Sequence, residues 1–76
     1  MIGTLKSIVY MVNGREEKFV KFKDAPAVVP RDGQFVKVTN ATGEVIKGFV
    51  GAADWFYDDI EHDTRPSVVV HLQEPL

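Results

Sequence analysis

The dipeptide Asn13-Gly14 separates two β-rich segments, and this arrangement constrains the fold more than any other feature of the sequence. Asn-Gly suits a two-residue type I′ turn because both residues tolerate positive φ. The apolar residues before it alternate with period two, as in Ile8, Tyr10 and Val12, and the residues after it alternate in the same way. The pattern predicts a β-hairpin over residues 4–23.

Further short segments of the same kind follow, and turn residues bound each of them. Prolines remove a ladder donor and fix φ, so a proline-containing stretch between strands indicates a loop. The predicted elements are a crossing loop over residues 24–33, a strand over 34–39 with Val36 and Val38 inward and Lys37 outward, a turn over 40–43 with Gly43 in the left-handed region, a strand over 44–50, and a final strand over 67–72 with Val68, Val70 and Leu72 on one face.

Residues 52–60 fit two secondary structures. Ala52, Trp55 and Ile60 could lie along a short amphipathic helix, or the segment could continue the preceding strand after a bend. A bulge at Gly51 would redirect the chain, and aromatic residues suit sheets, so a bent strand is favoured.

Five or six short strands in a 76-residue chain predict a single all-β domain over residues 1–76, as a barrel or a sandwich. The run Val29-Pro30-Arg31-x-Gly33-x-x-Val36-x-Val38, followed by a hairpin and a late aromatic and valine-rich strand pair, resembles small SH3-like barrels. Its Pro-Arg-x-Gly-x-x-Val turn also resembles uncharacterised bacterial and phage proteins. Over residues 28–74 the resemblance implies an SH3-like barrel of five to six antiparallel strands and no particular activity.

The chain has no cysteine, which excludes disulfides, thiolate metal sites and cysteine nucleophiles. Its longest strongly apolar run, residues 8–12, is too short for a signal-peptide core or a membrane span. Both features favour a cytoplasmic protein.

Charge is segregated along the chain. Residues 1–50 carry a net +3 and residues 51–76 a net −5, and five acids lie within ten residues: Asp54, Asp58, Asp59, Glu61 and Asp63. This acidic segment could bind a basic partner, could be a solvated turn that keeps a small barrel soluble, or could lie against Lys18, Lys21 or Lys23.

The spacing Asp59-x-Glu61-x-Asp63 is that of the start of a calcium-binding loop. Thr64 stands where the sharp-turn glycine of such a loop belongs, and Val70 stands where the closing glutamate belongs. No metal site and no cofactor are therefore predicted.

Trp55-Phe56-Tyr57 is the densest aromatic cluster. On a strand, Phe56 points away from the face that Trp55 and Tyr57 share, so at least one large ring is expected at the surface. Because Trp and Tyr are enriched at interface hot spots, we expect a protein-binding surface, whose members are Trp55, Tyr57, Asp58, Asp59 and Glu61. Alternatively, Trp55 plugs the barrel end and Tyr57 covers a sheet edge, because aromatic residues dominate small cores.

A second hypothesis is a single-stranded nucleic-acid platform on the lysine- and phenylalanine-rich residues 15–37. Its candidate members are Phe19, Lys21, Phe35 and Lys37. Two glutamates interrupt this patch and the isoelectric point is about 5.5, so nucleic acid is the less favoured partner.

Catalytic candidates are poor, because neither Ser7 nor Ser67 lies in a nucleophile motif and His62 and His71 are the only imidazoles. A non-enzymatic protein-interaction module is therefore expected. Residues 8–12 are apolar on both faces, so a strand there at a sheet edge could pair with a second copy, and a homodimer is a further hypothesis.

Overall fold

A computed structural model describes residues 3–12, 15–59 and 62–74, with side chains omitted for residues 15–18. Five strands form one mixed sheet that nearly closes into a barrel, and the described residues include no α-helix. No described helix is long and apolar enough to cross a membrane. The strands are β1 (Thr4–Val12), β2 (Arg15–Pro26), β3 (Phe35–Thr39), β4 (Val45–Phe56) and β5 (Ser67–Gln73).

The strand order across the sheet is β2-β1-β5-β4-β3. The all-β barrel class predicted from the sequence is confirmed, and the architecture is consistent with a small SH3-like barrel. The expectation that every pairing is antiparallel is wrong for one of the four, because β1 and β5 pair in parallel. β5 takes its direction from its antiparallel pairing with β4, and its other edge then meets β1 running the same way.

β1 and β2 form the predicted antiparallel hairpin, and the Asn13-Gly14 turn itself lies outside the described residues. β2 continues to Pro26, so the predicted crossing loop begins later than residue 24. Pro26 ends β2, which is an edge strand, and a missing ladder donor is tolerated on an edge strand.

The turn between β3 and β4 is held by a side chain. The Asn40 Oδ1 accepts hydrogen bonds from the backbone N–H groups of Thr42 (3.0 Å) and Glu44 (2.9 Å). Gly43 has a φ of 89°, as predicted for the left-handed position of this turn. The turn fixes the register in which β3 faces β4.

β4 runs through the segment for which helix and strand were alternatives. The pairing with β5 shifts register between Val50 and Ala52, and the strand then continues to Phe56. The bent strand and the bulge at Gly51 are both confirmed. This extension carries Trp55 and Phe56 away from the turn end of β4.

The buried core is aliphatic. Seven of the eight aromatic side chains are more than one-third exposed, and only Tyr10 is not. The expectation that aromatic residues fill the core is therefore wrong, because inward positions on the strands are occupied by valine, leucine and isoleucine while most phenylalanines fall on outward positions. The buried apolar residues are Leu5, Ile8, Val12, Val20, Ile46, Val50, Val68, Val70 and Leu72.

β1 lies inside the sheet, between β2 and β5. The route to a homodimer that relied on residues 8–12 at a sheet edge is therefore wrong, since both edges of β1 are already paired. The strands at the two ends of the order are β2 and β3.

Candidate functional site

Trp55 and Tyr57 form an exposed stacked pair at the end of β4. Their ring centroids are 6.5 Å apart with an angle of 16° between the planes, and their side chains are 46% and 72% exposed. Trp55 lies opposite Val68 of β5 and Phe56 opposite Ser67, so Phe56 projects from the other face of the strand, as predicted. We call Trp55 and Tyr57 the stacked pair; Trp55 shares a sheet face with the buried Val68, and its side chain is half exposed there.

Two of the acids predicted to flank this pair, Asp58 and Asp59, follow Tyr57 directly in the chain. Asp58 accepts an ion-pair hydrogen bond from the Lys6 Nζ at 2.5 Å, and Asp59 is exposed next to it. Asp54 projects from the opposite face and lies 2.9 Å from the His71 Nε2. Glu61 lies outside the described residues.

Arg65 holds the loop that follows. Its Nε and Nη2 donate to the two carboxylate oxygens of Asp63 at 2.9 and 2.7 Å, and its Nη2 also lies 2.7 Å from the Asp24 Oδ1. Its Nη1 donates to the Thr4 hydroxyl at 2.6 Å. These contacts tie the loop before β5 to β1 and β2.

The same hydrogen bonds from Arg65 lower the pKa of Asp63 to about 2. One alternative for the acidic segment places it against Lys18, Lys21 or Lys23, and Asp63 does line one cleft with Lys21 and Lys23. The ion pairs of Asp58 and Asp63 are formed with Lys6 and Arg65. The side chain of Lys18 is not among those that the structure describes. Among the described residues no group of three or more metal-ligating side chains comes together, and the Asp63 carboxylate already binds Arg65.

The four residues of the predicted nucleic-acid platform lie on two strands. Phe19 and Lys21 lie on β2, whereas Phe35 and Lys37 lie on β3, at the other end of the strand order. Because the sheet nearly closes into a barrel, these two end strands approach each other, and Phe22 and Lys23 of β2 line one cleft with Val38 of β3.

The outward side chains of β3 share one face of the sheet with the outward side chains of β4. The Phe35 and Phe49 rings meet edge to face, with centroids 5.1 Å apart and an angle of 68° between the planes. Lys37 is directly opposite Lys47 in the antiparallel register. Phe49 and Lys47 were missed from the sequence, although the tight Asn40–Gly43 turn already pairs their positions with Phe35 and Lys37. We call Phe35, Lys37, Lys47 and Phe49 the β3–β4 face.

The histidine–aspartate pair does not meet a serine. Ser67 is four residues from His71 along β5, which is about 13 Å at the rise of a strand. Ser7 is in register with Ser67 on the neighbouring strand. Neither hydroxyl is therefore placed for proton transfer to His71.

No protein-family model, curated protein sequence or solved structure matches this chain.

Proposed function

We propose that the protein is a non-catalytic interaction module that binds a partner protein through the stacked pair. The observation that carries the proposal is that two adjacent, nearly parallel rings are 46% and 72% exposed. Trp and Tyr are the residue types most enriched at binding hot spots, because they bury a large area on binding and lose little conformational entropy.

The charges around the pair favour a cationic partner segment. Asp58 and Asp59 follow Tyr57 directly in the chain, and Lys6 forms an ion pair with Asp58. An arginine side chain can stack on an aromatic ring and donate hydrogen bonds to a carboxylate at the same time. A basic, arginine-containing segment is therefore the partner that the surface suits best.

The proposed module acts without a cofactor. The cysteine-free composition and the resemblance to bacterial and phage barrels support a cytoplasmic setting in a bacterium or phage. Self-association remains part of the proposal, because a second copy could occupy the same surface. Light scattering across a dilution series tests it: a monomer at every concentration removes the homodimer and leaves the heterologous partner.

The binding experiment uses Trp55, the sole tryptophan, as its reporter. A short arginine-rich peptide is titrated into the protein while the emission of Trp55 is followed, and the same peptide with glutamate in place of arginine is the negative probe. Tyr57→Ser removes one ring and keeps the reporter, and Phe19→Ser is the matched control because Phe19 is 48% exposed on β2.

We expect a saturable change in emission with the arginine-rich peptide, affinity at least about fivefold weaker in Tyr57→Ser, and no change in Phe19→Ser. Circular dichroism checks that both variants keep the strand signal. Equal affinity of the Tyr57 variant and the unmodified protein would contradict the proposal, as would an equal response to the glutamate peptide.

A further inference from the structure

We infer that the β3–β4 face is a separate binding site for single-stranded nucleic acid. It does not depend on the stacked pair, and its four members differ from the platform that the sequence suggested, because two of them come from β4 rather than β2. The inference uses two observations at neighbouring positions of one hairpin: an opposed pair of lysines and an exposed pair of phenylalanines.

The first observation is that Lys37 and Lys47 lie directly opposite each other on neighbouring strands. Like charges at such positions destabilise a sheet, because their Cβ atoms are only about 5 Å apart. Both side chains are exposed, and neither forms an ion pair with any residue that the structure describes. Folding therefore concentrates positive charge here, and a bound anion would relieve the repulsion.

The second observation is the aromatic pair one step along the hairpin. Phe35 and Phe49 are 48% and 43% exposed, and their edge-to-face contact leaves ring surface open to solvent. They lie two residues from the lysine pair on each strand, which is about 7 Å. A nucleotide whose base stacks on a ring can thus place its phosphate beside the lysines, as in single-strand platforms.

The surroundings favour an extended strand over a small anion. The outward positions of the hairpin carry no acidic residue: they are Phe35, Lys37, Thr39, Val45, Lys47 and Phe49. A cleft of about 520 Å³ continues beside Phe35 and Lys37 and is lined by Arg31 and Tyr10 as well. Arg31 adds a third cation along the same path, so a chain of several nucleotides fits better than a single phosphate.

The inference is tested by titrating a fluorescently labelled oligothymidylate of twelve nucleotides with the protein at low and moderate salt. Fluorescence anisotropy reports binding. Two double variants probe the face, Lys37→Gln with Lys47→Gln and Phe35→Thr with Phe49→Thr. Their matched controls on β2 are Lys21→Gln with Lys23→Gln and Phe19→Thr, since these side chains are also exposed.

We expect binding to the oligonucleotide that weakens steeply with salt. The Lys37/Lys47 variant lowers the slope of log affinity against log salt by about 1.4, because each phosphate contact contributes about 0.7 in single strands. The Phe35/Phe49 variant weakens binding by about 5- to 100-fold for each ring that stacks on a base. The β2 control variants bind as the unmodified protein does.

Three results would overturn the inference. One is no anisotropy change at about 100 µM protein in low salt, where even non-specific nucleic-acid binding is detectable. Another is binding that survives the Phe35/Phe49 substitutions and is matched by heparin, which would mean a general polyanion site. The third is a greater loss of oligonucleotide affinity in the β2 control variants than in the β3–β4 face variants, which would place the binding site at Phe19 and Lys21. Binding of the arginine-rich peptide in the same samples reports separately on the stacked pair.

Discussion

The stacked pair and the β3–β4 face both expose two aromatic rings on β4 or its partner strand, yet their charges are opposite. Beside Trp55 and Tyr57 lie carboxylates, and one of them is already bound by Lys6. Beside Phe35 and Phe49 lie two lysines that face each other. At the stacked pair, an ion pair with Lys6 neutralises one of the carboxylates. At the β3–β4 face, two lysines lie opposite each other with like charge.

This difference teaches that exposed aromatic residues in a small barrel need not serve one purpose. The core is packed with aliphatic side chains, so the rings are available for the surface. The local charge then selects the class of partner: cationic for the stacked pair and anionic for the β3–β4 face. β4 carries both surfaces, since Phe49 precedes the bulge and Trp55 follows it.

The largest expected difference in the free energy of unfolding is between substitution of a buried core residue and substitution of a surface ring. Leu72 is fully buried, so Leu72→Ala should lower the free energy of unfolding by about 2–5 kcal/mol. Trp55→Ala removes a larger side chain, but we expect it to lower that free energy by less than about 1.5 kcal/mol because the ring is half exposed. Urea denaturation measures both. Equal losses would assign Trp55 a structural role and weaken the protein-binding proposal.

Alanine substitution should have a smaller effect on stability at two glycines of β4, and the effect should differ between them. A Cβ on Gly48 would lie 2.6 Å from the backbone carbonyl oxygen of Gln73, so Gly48→Ala must push β4 from β5 and should cost about 1–3 kcal/mol of unfolding free energy. A Cβ on Gly51 would meet only the flexible Gln73 side chain, at 3.2 Å.

Gly51→Ala is therefore the matched control, and we expect it to change stability by less than about 0.5 kcal/mol. Thermal denaturation of the two variants provides the measurement. If Gly48→Ala were tolerated as well as Gly51→Ala, the close approach of β4 and β5 would be refuted, and with it the frame that positions both surfaces.

A stabilising substitution tests the charge of the β3–β4 face. Lys37→Glu replaces an opposed pair of like charges by an opposed pair of unlike charges, and it should raise the free energy of unfolding by about 0.2–1 kcal/mol. Lys21→Glu on β2, opposite Val9, is the control and should not stabilise the fold. The gain should shrink in high salt, because exposed charges are screened. A loss of stability in Lys37→Glu would mean that the two lysines do not repel each other.

The smallest effect concerns the loop that follows the stacked pair and appears as a pH dependence. Because Arg65 lowers the pKa of Asp63 to about 2, the carboxylate contributes stability above the ordinary aspartate pKa of about 4. This contribution is lost as the pH falls towards 2. Melting temperatures measured from pH 6 to pH 2 should therefore fall less steeply for Asp63→Asn than for the unmodified protein. Asp59→Asn, in the same acidic segment, is the control, and identical pH profiles for all three proteins would contradict the Arg65 network.

Much of the fold was predictable because local signals agree with one another. Alternation in β1 and β5, the glycine in the Asn40–Gly43 turn and the bulge at Gly51 each follow from residue types at adjacent positions. The strand order was not predictable, because nothing local reports that β5 enters between β1 and β4. The parallel pairing and the interior position of β1 follow from that order.

The candidate sites divide in the same way. The shared face of Trp55 and Tyr57 followed from strand periodicity, whereas the placement of Phe19 and Phe35 on the two end strands depended on the strand order. The Lys6–Asp58 and Arg65–Asp24 ion pairs join residues more than 40 positions apart in the sequence, so charge counting alone could not identify them. The pairing of Phe49 and Lys47 with Phe35 and Lys37 could have been predicted from the sequence, because the tight turn between β3 and β4 fixes the register.

The central claim is that two aromatic surfaces of opposite charge bind different partners independently. Amide chemical shifts of the ¹⁵N-labelled protein, followed during separate titrations with the arginine-rich peptide and with oligothymidylate, test it most directly. We expect the peptide to shift residues 54–59 and the oligonucleotide to shift residues 35–37 and 47–49, with neither ligand displacing the other. Shifts in one shared set of residues, or competition between the ligands, would contradict the claim.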